Sequence, residues 1–184
     1  MTLTETPICN FGEKAKNFNL LSTEKKKISL NTVKGENGTI IMFICNHCPY
    51  VKAVIKDIVE DVKYLENLGI KSVAIMSNDV KNYPEDSFEN MISFSKLHNF
   101  SFPYLIDDTQ EVAKEYGAVC TPDFFGYNKN IELQYRGRIR ELKDLKPVKE
   151  GDSDLRVAME QIVTSGNGPK KQIPSMGCNI KWFK

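Results

Sequence analysis

The sequence has no stretch approaching the roughly 18 apolar residues that a membrane span needs, and its first residues lack the basic start and sustained apolar core of a secretory signal. The expectation is a cytoplasmic protein with no membrane partner. Charge of one sign is also missing: 25 Lys plus Arg stand against 24 Asp plus Glu, a net charge of +1, so an electrostatic hold on nucleic acid is not expected. Histidine is scarce, two in 184 residues, and there is only one Cys-x-x-Cys, so no second ligand pair completes a four-ligand zinc site and no metal is expected. Five cysteines are an odd number in a chain too long to need stapling, which argues against a structural disulfide framework. At least some of them should be working thiols. What remains, 41% hydrophobic and 27% charged, is ordinary for a globular protein, and a single domain over residues 1–184 is the default.

The chain is organised around Thr39 to Val51, an apolar run that ends in Cys45-Asn46-His47-Cys48 and opens through Pro49 into a helical pattern. Thr39 to Ile44 is uncharged and rich in β-branched residues, as expected of a strand buried on both faces. Val51, Val54, Ile55, Ile58, Val59, Val62 and Leu65 then recur at helical spacing up to Gly69, and Lys71 to Met76 reads as a second buried strand parallel to the first. Upstream, residues 1–17 form an irregular leader, and Asn37-Gly38 reads as a reversal through positive φ. Downstream, the pattern predicts a helix from Pro84 to His98, a strand near Tyr104, a short helix ended by Gly117, and a hairpin over Phe124 to Arg138. Asp154 is placed as the cap of a last helix over 155–165, and the apolar end of the tail, residues 166–184, is expected to dock. Arg136, Arg138 and Arg140 alternate along a strand and read as a solvated face. Strands alternating with helices, then a hairpin and a terminal helix, give an α/β domain with a central mixed sheet flanked by helices. With Cys-x-x-Cys at the first strand-to-helix junction, this is a thioredoxin-like arrangement.

The order of Cys45-x-x-Cys48 at the first helix, Thr121-Pro122 before the hairpin, and Gly177-Cys178-Asn179-Ile180-Lys181-Trp182 near the end resembles the redoxin family (AhpC/TSA, peroxiredoxin-like) over nearly the whole chain. The resemblance implies a thioredoxin fold with an N-terminal extension, Cys45 as attacking thiol, Cys48 as its resolving partner, and Pro122 as a cis-proline facing them. One departure is visible: where peroxiredoxins carry a Thr three residues before the reactive cysteine, this chain has Cys45 before Cys48-Pro49.

The residues support the same chemistry. A sulfur at the start of a helix meets unpaired amide groups that stabilise a thiolate; Cys45, just before the helix, is expected to be partly exposed and Cys48 shielded. His47 can place positive charge beside the Cys45 thiolate and raise the couple's potential, on a scale running from roughly −270 mV for thioredoxin to about −120 mV for the strongest oxidant. In a cytosol near or below about −220 mV such a pair rests mostly as the dithiol, so its task would be to reduce. A cis bond at Thr121-Pro122 would leave the Thr121 backbone open to an extended substrate. Cys120 adjoins this loop and is equally a core residue; Cys178 is either part of the packing of a docked tail or a second resolving thiol. The reading is a thiol-disulfide oxidoreductase with no cofactor beyond its own redox-active disulfide. It would act on protein or small-molecule disulfides and take electrons from a thioredoxin or glutathione system. A thiol peroxidase, and a redox sensor or soft-metal protein, are the alternatives.

Overall fold

A computed structural model describes residues 2–184. Its order is β1 (Leu3–Glu5), β2 (Asn19–Ser22), β3 (Lys27–Ser29), α1 (Leu30–Val33), β4 (Gly38–Phe43), α2 (Pro49–Glu66) and β5 (Ile70–Met76). A 3-10 turn (Pro84–Asp86) leads into α3 (Phe88–Leu97), then β6 (Tyr104–Ile106), α4 (Glu111–Tyr116), β7 (Cys120–Thr121), β8 (Asp123–Asn128) and β9 (Leu133–Arg136). A small hairpin, β10 (Leu142–Lys143) with β11 (Lys146–Pro147), precedes α5 (Asp154–Ser165) and β12 (Met176–Asn179).

Seven strands make one mixed sheet in the order β3-β2-β6-β5-β4-β8-β9. β4, β5 and β6 run parallel, and β8 pairs antiparallel with β4 from Gly38↔Asn128 to Phe43↔Asp123. Because side chains alternate along a strand, β4 feeds two cores: Ile40 and Met42 point to the face covered by α2, α3 and α5, Ile41 and Phe43 to the face covered by α1 and α4. A strand with no charge is thus what a doubly covered centre requires. On the first face α2 buries Val51, Val54, Ile58 and Leu65, each worth about 1.5–3 kcal/mol relative to exposure, so the helix carrying the two cysteines is firmly seated. Gly69, at φ +77, turns the chain out of α2 into β5.

Several expectations are corrected. Asn37-Gly38 is not a positive-φ turn: Gly38 opens β4, and glycine is needed there because a Cβ would meet the Tyr127 carbonyl oxygen at 2.8 Å. The Pro84 helix is broken at Ser87, whose hydroxyl accepts from the Asn90 N–H and starts α3 afresh. The cap of α5 is Ser153, not Asp154; its hydroxyl accepts from the Arg156 N–H and donates to Asp61. The arginines are not a solvated face. Arg136 is buried against Asp123 (2.9 Å) and the Phe125 ring, Arg138 pairs with Asp154 (2.7 Å) and Arg140 with Asp57 (2.9 Å). The tail docks as expected, but by a route that the local pattern does not carry: β12 lies between the leader strand β1 and β7 in a separate three-stranded sheet.

Candidate active site

The chain leaves β4 at the centre of the sheet and enters α2 at Pro49, with Cys48 in the N-cap position. Both sulfurs lie at this junction: Cys45 and Cys48 are 1% and 0% exposed, and no disulfide joins any of the five cysteines of the described residues. The expected partial exposure of Cys45 is therefore corrected. Its sulfur is roofed by the Thr121 hydroxyl at 3.4 Å and by His47 Nδ1 at 3.9 Å.

The Cys45 and Cys48 thiols hydrogen-bond each other, and the pair divides one charge between them. Cys48 is lowered to about 5, first by the Cys45 S–H, then by the Cys178 thiol and the Val51 N–H in the first turn of α2, with burial opposing. The Cys48 thiol also donates to the Thr121 carbonyl (3.2 Å). Cys45 is pushed well up, first by its hydrogen bond to Cys48, then by burial and the nearby Asp86 carboxylate. Within the pair the two thiols are shifted in opposite directions, Cys48 down and Cys45 up.

His47 is held by a residue that sequence reasoning missed. Asp86, fully buried at the end of the 3-10 turn, accepts from the Asn46 N–H (2.8 Å), the His47 N–H (3.3 Å), the His47 ring Nδ1 (2.7 Å) and the Asn78 side-chain amide (2.7 Å). Its hydrogen bond and charge raise the His47 pKa above the ordinary 6.5, while burial opposes. The Tyr83 ring stacks on the imidazole with centroids 5.7 Å apart, and the Tyr104 hydroxyl donates to Asn46 Oδ1 (2.9 Å). The acidic residues after Pro84 were legible only as first-turn acids of a helix. Among the described residues, the one group with metal-ligand character is Cys45, His47 and Asp86, whose donor atoms lie within 4.8 Å of one another. Three donors of mixed hardness, one engaged in an ion pair, could hold a soft cation only by giving up that pair.

The Thr121–Pro122 bond is cis and faces the cysteines. The Thr121 backbone is not open, however. Cys178 of the tail is paired with Thr121 and Asn179 with Cys120, in antiparallel register. The fit is close: a Cβ on Gly177 would lie 2.0 Å from the Thr121 oxygen. Tail docking is wired into the His47 network. The Lys181 N–H donates to Asn78 Oδ1 (2.9 Å), the Lys181 carbonyl accepts from the Asp79 N–H and the Gln110 amide (both 2.8 Å), and Asn78 in turn holds Asp86. Cys178 is buried against Cys48, and its thiol is raised to about 12, chiefly by burial and then by the hydrogen bond to Cys48. Cys120 is also buried, points its thiol at the Pro122 carbonyl (3.7 Å), and has its pKa raised by burial. Cys9 lies apart, half-buried and raised to about 11 by desolvation. So Cys45, His47, Cys48, Thr121, Pro122 and Cys178 meet at one point, with Cys120 at its margin. No helix of the described residues is long and apolar enough to cross a membrane.

A mixed sheet with helices on both faces and a dithiol at the start of the first long helix defines a thioredoxin-like redoxin. The chain belongs to the AhpC/TSA family, whose model matches residues 11–142. No curated protein matches it. Among solved structures it is similar over its whole length to an uncharacterized conserved protein from Geobacillus kaustophilus (39% identity, TM-score 0.94, 100% of this chain and 97% of that one). A hypothetical protein from Sinorhizobium meliloti 1021 is similar at 33% identity and TM-score 0.90, covering 98% of each chain. The thioredoxin domain of a thiol-disulfide oxidoreductase from Bacteroides vulgatus shares the fold at 15% identity and TM-score 0.64, over 83% of this chain and 97% of that one.

Proposed function

We propose that the protein is a thiol-disulfide oxidoreductase that reduces disulfides through Cys45 and Cys48. The observation that carries this is the dithiol itself: two hydrogen-bonded sulfurs at a helix N-terminus, with the Cys48 thiol shifted down by Cys45, Cys178 and the Val51 N–H, which favours a thiolate in the pair. Cys45 lies on the side of the partly exposed His47, whereas Cys48 is hemmed in by Cys45, the Thr121 carbonyl and Cys178; substrate reaches Cys45 first. The proton that Cys45 shares with Cys48 passes to Cys48, and the Cys45 thiolate attacks one sulfur of the substrate disulfide, releasing the other as a thiol. Cys48, deprotonated again, attacks Cys45 Sγ, frees the second substrate thiol and closes the Cys45–Cys48 disulfide. A thiol donor from a thioredoxin or glutathione system reopens it, and no further cofactor is needed. His47 in its protonated form favours the anionic state of the pair and so the reduced protein. A cytoplasmic setting suits a couple that works as a reductant.

The test is turnover of an insulin-type protein disulfide with a thiol donor. Cys45→Ser should abolish it, and Cys48→Ser should accumulate a mixed disulfide on Cys45. Full activity in Cys45→Ser would remove these roles. A second reading, a thiol peroxidase, is favoured by one observation: the acidic sulfur is Cys48, which precedes Pro49 where a peroxiredoxin's reactive cysteine would stand. In that reaction Cys48 takes one peroxide oxygen as a sulfenic acid and Cys45 condenses with it, releasing water. Fast peroxide consumption by the reduced protein, lost in Cys48→Ser and not in Cys45→Ser, would select it.

A further inference from the structure

Cys48 has two thiol neighbours rather than one. Cys45 approaches it within its own loop, and Cys178 approaches it from β12, which pairs with Thr121 where an extended substrate strand was expected to lie. The tail is anchored on both sides of Cys178. Leu3 of β1 and Thr121 of β7 are its flanking partners, Thr6 exchanges hydrogen bonds with Ser175 (2.9 and 3.0 Å), the Ser175 hydroxyl donates to the Pro122 carbonyl (2.7 Å), and Lys181 is held by Asn78, Asp79 and Gln110. A side chain that only sealed a groove would not need this much fixed backbone around it. The effect is to hold one thiol against the sulfur that the redox cycle oxidises, which is what proximity contributes to an exchange reaction.

The geometry points to Cys178 as a third redox thiol that displaces Cys45 from Cys48 and forms a Cys48–Cys178 disulfide. This deepens the thiol-disulfide reading and rests on it. In the step, the Cys178 sulfur, as thiolate, attacks Cys48 Sγ of the Cys45–Cys48 disulfide; the Cys45–Cys48 bond breaks, the Cys48–Cys178 bond forms, and Cys45 leaves with the electron pair and takes up the proton that Cys178 lost. No external oxidant is consumed. The Cys48 charge that helps keep the Cys178 thiol protonated is gone once Cys48 is in a disulfide, and the nearby Lys181 ammonium favours the Cys178 anion. The oxidising equivalents then sit between α2 and the tail, and the Cys45 thiol is restored on the substrate side.

The experiment oxidises the full chain with one equivalent of diamide, quenches with an alkylating agent and maps linked peptides by mass spectrometry. Wild-type protein is expected to yield both Cys45–Cys48 and Cys48–Cys178 peptides. Cys45→Ser is expected to give the Cys48–Cys178 link as its main product, and Cys45→Ser with Cys178→Ser to give no intramolecular link. If wild type yields Cys45–Cys48 alone and Cys45→Ser leaves Cys178 open to alkylation, the proposal is overturned and the oxidoreductase reading stands. If wild type yields neither a Cys45–Cys48 nor a Cys48–Cys178 link, the underlying reading fails and takes the proposal with it. The wild-type arm needs no variant to fold, and thermal unfolding of the two variants checks that their outcomes come from native protein.

Discussion

Replacing Asp86 with Asn removes one charge and almost no volume, and its consequences can be worked from the contacts. Four N–H groups converge on the carboxylate: the main chains of Asn46 and His47, the His47 ring and the Asn78 amide. An amide in its place keeps one acceptor oxygen and turns an NH2 group towards donors, so about two buried donors lose their acceptor, at about 1–3 kcal/mol each. Where the His47 ring is protonated it also loses its counter-charge, which puts the total in the range of about 3–5 kcal/mol reported for breaking a buried pair. At about 2–4 °C per kcal/mol for a chain of this size, the midpoint should fall by roughly 6–20 °C. The pH dependence sharpens the test. Because the folded-state pKa of His47 is raised above 6.5, its pairing stabilises the native state fully below the unfolded value, and that contribution is lost as pH rises through the raised value. Urea unfolding of wild-type protein should show this loss, and Asp86→Asn should not. A variant within about 1 kcal/mol of wild type, or one that keeps the wild-type pH profile, would refute the placement of Asp86 at the centre of the site.

Other consequences are local. Arg136→Met leaves the Asp123 carboxylate buried without its partner and should cost about 3–5 kcal/mol in chemical denaturation, while Arg136→Met with Asp123→Leu should recover much of that loss; equal losses would show that the pair is not coupled. Gly177→Ala puts a methyl group into the Thr121 carbonyl and should detach β12, seen as faster proteolysis of the tail and faster alkylation of Cys48; unchanged protection would contradict the β7–β12 register. Ser153→Ala removes the cap of α5 and a donor to buried Asp61, and a loss of about 1–3 kcal/mol is expected by thermal unfolding.

The β4–α2–β5 unit and the position of the cysteines were legible because the signals are local. An uncharged β-branched run, seven apolar residues at helical spacing and a second largely apolar run are each contained in fewer than about 20 residues, and the stop at Gly69 is a backbone requirement. What escaped was set by contacts distant in sequence. β1 and β12 are three and four residues long and come from opposite ends of the chain, so neither carries enough alternation to be read as a strand; β1 exists because β12 completes its hydrogen bonds, and β12 because β1 and β7 complete its own. Arg136 alternates with Arg138 and Arg140 in the way a wet strand face does, and only the fold shows Asp123 across the ladder from it. Asp86 sits in a turn rich in ordinary helix-starting residues, and its role depends on Asn46, His47 and Asn78 arriving from two other loops. The open Thr121 edge failed for the same reason: its partner is nearly 60 residues further along the chain.

The central claim, a cycling Cys45–Cys48 dithiol, is tested most directly by a glutathione-buffered redox titration, with the linked peptides identified after alkylation. The account predicts a reversible two-electron transition in which Cys45 and Cys48 lose alkylation together and become linked. Oxidation that leaves Cys45 and Cys48 separately alkylated at every potential, or that links neither of them, would contradict it.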